Sequence, residues 1–187
     1  FLFPSTYDLP LQPDAAQLVA AQLKAFRQAI ASVDMSRAKS KNLTPYDVVT
    51  IAAMVERETA APSERPMVAA VIWNRLKQGI PLGIDATTRY QYDNWTRPLR
   101  VSELSSDSPW NTRRHTGLPP GPIGNPGLAS LKAAASPADT DALFYVVKPW
   151  TCGRHTFAAT QAEFDRAVAA YDSARASNGG RAPTKCN

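Results

Sequence analysis

The stretch Gly117-Leu118-Pro119-Pro120-Gly121-Pro122-Ile123-Gly124-Asn125-Pro126-Gly127 constrains this chain more than any other. Proline has no amide donor and a fixed φ, so the segment is neither a helix nor a central strand. A loop this stiff holds one shape at small entropic cost. It either lines a binding site or makes a buried structural turn, and the composition supports both equally. It ends a longer irregular region, residues 80–127, that holds most of the isolated polar and aromatic side chains: Asp85, Thr87, Tyr90, Tyr92, Trp95, Trp110, Asn111 and Thr112.

On either side of that region the pattern is regular. Residues 1–12 read as an extended lead-in. A helix is expected from about Pro13-Asp14, since Val19, Leu23, Phe26 and Ile30 recur on one helical face. Residues 34–43 are polar and basic, a loop or frayed helix. The clearest start signal is Thr44-Pro45-Tyr46-Asp47, with Thr44 as N-cap, Pro45 at the first helical position and Asp47 as the reciprocal capping acid. That helix should run to about Thr59 and break at Ala61-Pro62. Ser63 is placed to cap the next helix, whose stripe of Met67, Val68, Val71, Ile72 and Leu76 ends at Gly79. Leu128–Ala135 reads as a short helix. Residues 142–147 are the best strand, pairing with His155-Thr156-Phe157 across a turn, and Thr160 caps a last helix through Tyr171. The fold class is α+β: mainly helical, with a small antiparallel sheet and a long Pro/Gly-rich loop region. One domain over residues 1–175 and a flexible tail over 176–187 are expected.

Composition narrows the function. With 44% hydrophobic and 20% charged residues, the chain can bury a core and is not disordered. The net charge of +5 favours anionic partners, but no dense Lys/Arg run or aromatic-interleaved basic motif points to nucleic acid. Neither a Walker pattern nor G-x-G-x-x-G is present, so no phosphate-bearing cofactor is expected. The two histidines, His115 and His155, have no spacing that suggests a metal centre or a Ser-His-Asp arrangement. Cys152 and Cys186 either form one disulfide tying the tail to the domain or stay apart. No run is long and apolar enough to span a bilayer. The chain opens at Phe1 without Met, and any anchor is expected upstream of it.

Two acids stand out. Glu56 and Glu58 are separated by about 200° of helical rotation, so they cannot face each other as a carboxylate pair. Both flank the stripe Val48, Ile51, Ala52 and Val55, and periodicity does not choose between them. The ordinary role for either is a solvated acid or one paired with Arg57 or Arg65. A partly desolvated glutamic acid would instead suit proton donation to a leaving glycosidic oxygen. The aromatics of residues 73–150 could pack against sugar faces, and the short polar residues could bind hydroxyl and acetamido groups; core packing and turn capping serve equally well.

The ordered segments Ile51–Thr59, Ser63–Ala69, Asn74-Arg75-Leu76, Leu82–Tyr90, Ser108–Thr112, Gly117–Ile123, Asn125–Gly127 and Ser130–Ala134 resemble the YceG-like family of endolytic murein transglycosylases. Phe1–Tyr7 looks like that family's approach to its catalytic domain, and Tyr145-Val146-Val147 and Gly153–Phe157 look like its closing strands. Ala86, Arg113 and Glu163-Phe164-Asp165 depart from the pattern. The resemblance implies an endolytic peptidoglycan lytic transglycosylase that leaves 1,6-anhydro-MurNAc ends. It implies Glu56 as the catalytic acid and Glu58 as supporting. Asp85, Thr87, Tyr90, Asn111, Thr112 and the loop residues Gly117, Leu118 and Pro119 would contact the glycan. It further implies no cofactor or metal, glycan strands and wall synthases as partners, and a place at the outer face of the cytoplasmic membrane. There the protein would be held by an upstream N-terminal helix, often with a LysM-like domain before the catalytic one. Two rivals stay open: a hydrolytic muramidase in which Asp85 or Glu58 activates water, and a non-catalytic peptidoglycan-binding domain.

Overall fold

The structure, a computed structural model, describes residues 1–12 and 14–186. The order is α1 (Ala15–Ala31), α2 (Ser36–Lys39), α3 (Pro45–Glu58), a 3-10 turn (Pro62–Glu64), α4 (Arg65–Gln78), α5 (Asp85–Gln91), α6 (Val101–Leu104), α7 (Leu128–Ala135), β1 (Phe144–Val147), β2 (His155–Ala158) and α8 (Gln161–Ser177). β1 and β2 form an antiparallel pair with Tyr145 opposite Phe157. This is the expected α+β class.

α3 is the axis of the molecule. Its start is fixed by a capping box: Asp47 N–H donates to Thr44 Oγ1 at 3.2 Å, and Thr44 N–H donates to Asp47 Oδ2 at 2.8 Å. Every residue from Val48 to Val55 is buried, so the helix is covered on all sides and not along one stripe. Ala52 and Ala53 let α7 come close with its own small residues Ala134 and Ala135, and α4 adds Val68, Ala69 and Ile72. Thr50 lies in this core with its hydroxyl donating to the Tyr46 carbonyl at 2.9 Å.

Three side chains of α4 hold the sheet approach in place. Trp73 donates to the Ala134 carbonyl at 3.1 Å, and Asn74 Nδ2 donates to the carbonyls of Thr140 and Ala142. Arg75 donates to the carbonyls of Leu143, Pro81 and Leu82. Backbone acceptors in irregular segments are thus satisfied by one helix. Gly79 ends that helix in the left-handed region at φ 65°, as anticipated. Ser63 does not cap it; Ser63 sits inside the 3-10 turn, and Glu64 precedes α4 with no side-chain capping bond.

Other expectations are refined. Asp14 caps α1 through a reciprocal bond with Gln17, while Pro13 lies outside the described residues. Phe26 and Ile30 reach the core, but Val19 remains exposed. The lead-in packs against this helix, with Phe1 5.3 Å from the Phe26 ring and Leu2 N–H donating to Asn125 Oδ1 at 3.0 Å. The irregular region contains two short helices, α5 and α6, too short to show periodicity. Arg97 and the Arg100 amide hold Glu103, at the start of α6, down to a pKa of about 2.

The segment expected as a tail begins within the last turn of α8. Beyond it, Trp150 N–H donates to the Pro183 carbonyl at 2.8 Å, and Cys152 is joined to Cys186. The disulfide closes a separation of 34 residues, for which loop-closure entropy alone would contribute up to about 4 kcal/mol. A further tie between distant parts joins α3 to β1: the Tyr145 hydroxyl donates to Glu58 Oε2 at 2.9 Å. Burial raises the Glu58 carboxyl above the usual range, opposed by the Tyr145 bond and reinforced by the charge of Asp85. Tyr145 itself is pushed upward, so it stays a donor.

Two outcomes follow from these ties. The Cys152→Ser/Cys186→Ser double variant is expected to melt several degrees lower than the oxidised wild type, with far-UV circular dichroism unchanged. Glu58 binds its proton more tightly folded than unfolded, so its contribution is greatest below the ordinary value near 4.5 and declines as pH rises through the raised folded value. Wild-type stability should therefore lose ground relative to Glu58→Gln as pH increases from about 4 to about 8 in paired thermal melts.

Candidate active site

The enclosed helix α3 ends in a turn that leaves the core, and Glu56 stands there at the mouth of a cleft of about 170 Å³. The cleft is bounded by Ala53, Glu56 and Arg57 on one side and by Gly124, Asn125 and Pro126 on the other. It thus lies between the last turns of α3 and the end of the Pro/Gly loop. Both sequence readings of that loop are realised in different parts. Pro119, Gly121 and Ile123 are buried, with Gly121 so close to the Tyr46 hydroxyl that a Cβ could not fit, while residues 124–126 face the cleft.

Glu56 is oriented by two neighbours distant in sequence. The Ser130 hydroxyl, on the first turn of α7, donates to Glu56 Oε2. Arg65 Nη2 lies 3.6 Å from Glu56 Oε1, with the glutamate side chain 36% exposed and the arginine side chain 17% exposed. Gly127 lies beside the carboxylate, where a Cβ would already fall 3.9 Å from Oε2, so a larger side chain would cover the acid. Arg57 turns away from the acids and stacks over the Trp95 ring at 4.2 Å. The arrangement gives a carboxyl group one oxygen held by a hydroxyl, a cation nearby and an open approach. It is suited to giving a proton and to carrying the resulting charge.

Glu58 occupies a different setting. It points to β1, where Tyr145 holds it and burial favours its neutral form. It does not line the cleft.

The remaining candidates are placed as follows. Asp85 pairs with Arg113 at the surface, through Nε at 2.9 Å and Nη2 at 2.6 Å. Tyr90 is exposed and packs on Trp110 with ring centroids 4.7 Å apart. Thr87, Asn111 and Thr112 are buried, with their polar groups turned to partners inside the protein. Thr112 Oγ1 accepts from Ile84 N–H at 3.0 Å and lies 3.1 Å from Thr87 Oγ1. Asn111 donates to the carbonyls of Leu104 and Ser106. Their polar groups are consumed in holding the irregular region together. Gly117, at φ 87°, shapes the turn, Leu118 packs on the core and Pro119 is buried, so none of these three lines the cleft. Both histidines are paired with carboxylates away from the cleft, His115 with Asp107 at 3.2 Å and His155 with Glu64 at 2.8 Å.

Sequence reasoning missed Ser130 and residues 124–126 as site residues, and it placed Arg65 only as a possible partner of either acid. Ser130 lay within a segment that carried the family resemblance, but nothing local indicated that it would meet a side chain 74 positions earlier.

The chain compares with known proteins as this geometry suggests. The YceG-like family profile matches residues 1–170. An endolytic murein transglycosylase of Bacillus subtilis is 32% identical over 177 residues, covering 94% of this chain and 48% of that protein. One from Streptococcus pneumoniae is 31% identical over 176 residues, covering 91% of this chain and 32% of that protein. This chain therefore spans about half or less of the length of these relatives. A crystal structure of a yceG-like protein from Listeria monocytogenes superposes with a TM-score of 0.79 at 30% identity, covering 88% of this chain and 53% of that one. The match over nearly the whole chain, in sequence and in fold, establishes that this chain belongs to the YceG-like family.

Proposed function

We propose that residues 1–175 form the catalytic unit of an endolytic peptidoglycan lytic transglycosylase, with Glu56 as its single catalytic acid and base. The observation that carries this is the cleft itself: Glu56 is the one carboxylate among its lining residues, held by Ser130 and flanked by Arg65. A hydrolase of the usual two-carboxylate kind needs a second acid to activate water or attack the sugar. Asp85 is engaged by Arg113 and Glu58 by Tyr145, so neither offers that partner.

One carboxyl group suffices if water is not the nucleophile. Glu56 gives its proton to the oxygen leaving C1 of N-acetylmuramic acid, and the C1–O bond breaks. The carboxylate then takes the proton of the same sugar's C6 hydroxyl, whose oxygen bonds to C1 and closes the 1,6-anhydro ring. The acid is regenerated and no water is consumed. Because Ser130 holds Oε2, Oε1, the oxygen that Arg65 Nη2 approaches, is the atom that exchanges the proton. Arg65 steadies the anion between the two transfers. The names of the two bacterial relatives support murein as substrate. The same reading places the enzyme at the outer face of the cytoplasmic membrane, beside the synthases that lay down new strands.

Purified glycan strands distinguish the two acids. Glu56→Gln is expected to lower the rate of strand cleavage by about 10³-fold, within the range for loss of a general acid, without lowering the melting temperature. Glu58→Gln should stay within about tenfold of wild type, because the amide carbonyl still accepts from Tyr145. Equal losses in both variants would remove the assignment to Glu56.

A further inference from the structure

A second concavity adjoins the cleft on the far side of Arg65. It is an open depression of about 420 Å³. Pro62 and Pro66 form one wall, Ala129 and Ala133 the other, and Arg65 and Lys132 supply the charge, with Ser136 at the end. Ala129, Lys132, Ala133 and Ser136 recur at helical spacing, so one face of α7 lines the depression while its neighbour Ser130 reaches Glu56. Lys132 lies roughly 3 Å further along the helix axis than Ser130 and about 200° around it, so the two leave opposite sides of α7 and Arg65 joins the depression to Glu56. Arg65 lines the depression and also approaches the acid of the cleft. Its Nη2 approaches Glu56, and its Nε is buried with no hydrogen-bond partner among the described residues. The side chain as a whole is 17% exposed, and its guanidinium gives the depression positive charge.

We infer that this depression binds the peptide stem of the substrate strand, a short peptide bearing free carboxylates and alanine methyl groups. The inference rests on the proposed reaction. The complementarity is chemical: two cations and no carboxylate line the site, and the surface between them is built of proline and alanine. A carboxylate suits the Arg65 guanidinium and the Lys132 ammonium, and methyl groups suit the apolar walls. Position agrees as well. In murein the stem hangs from the lactyl ether of the muramic sugar, the sugar whose C1 reacts at Glu56. A strand seated in the cleft thus carries its stem past Arg65. Engagement of Arg65 by the stem would fix that arginine beside Glu56 and couple recognition of a peptide-bearing strand to orientation of the acid.

The test needs no turnover. The isolated stem tripeptide L-Ala-γ-D-Glu-diaminopimelate is titrated into the whole chain while backbone amide shifts are followed by NMR. Saturable perturbation centred on Ala129, Lys132, Ala133 and Ser136 is expected. Lys132→Glu, an exposed substitution, should weaken the affinity about fivefold or more, and so should amidation of the peptide carboxylates. No perturbation of these residues at millimolar peptide would overturn the proposal. So would equal affinity for the amidated peptide, or an unchanged affinity in Lys132→Glu. A chain that binds the peptide in this way but never cleaves strands would support the depression and refute the reaction, which keeps the two failures distinct.

Discussion

Eight consecutive residues of α3, Val48 to Val55, are enclosed by α4, α7 and the Pro/Gly loop, and this enclosure sets the positions of everything chemical in the molecule. A helix buried along one stripe can roll by some degrees and repack. A helix covered on every side cannot, because any rotation drives side chains into a close-packed wall. Truncating Met54 or Ile51 here would be expected to cost about 2–5 kcal/mol. The rigidity passes to the last turn of α3, where Glu56 and Glu58 leave the core in nearly opposite directions. One meets the cleft and α7; the other meets the sheet.

The two acids show why burial alone does not identify a catalyst. Burial raises the Glu58 carboxyl above its ordinary range, a perturbation of the kind that often marks a functional acid. Its shift has a structural cause, the enclosure of a carboxyl that tethers helix to strand through Tyr145. Glu56 has what a reacting group needs first, which is access, together with a hydroxyl and a guanidinium to orient it. Geometry decides before acidity does. The Arg65 side chain further joins Glu56 of the cleft to the depression along α7, so the proposed reaction and the proposed recognition would share one residue.

Much of the scaffold was legible from the chain. The capping box at Thr44, the glycine stop at Gly79, the strand pair and the irregular character of residues 117–127 all follow from local physics, and local physics is what sequence patterns record. The site was legible in part. Glu56 could be named from the order of motifs, but its orientation depends on Ser130 and Arg65, contacts that local periodicity does not encode. Thr87, Asn111 and Thr112 were harder to place. Short polar residues among prolines and glycines suit a sugar site and an internally hydrogen-bonded loop alike, and their bonds to Ile84, Leu104 and Ser106 appear only once the loop is folded. The capping role assigned to Ser63 went to no side chain, because a 3-10 turn intervenes and moves the helix start to Arg65.

The central claim is that one carboxyl group gives and retakes a proton while the sugar's own hydroxyl replaces water. Digestion of glycan strands in oxygen-18 water, followed by mass spectrometry of the new muramic ends, tests it directly. The account requires 1,6-anhydro ends with no label. Reducing ends carrying one labelled oxygen for each bond cleaved would show that water is the nucleophile and would contradict it.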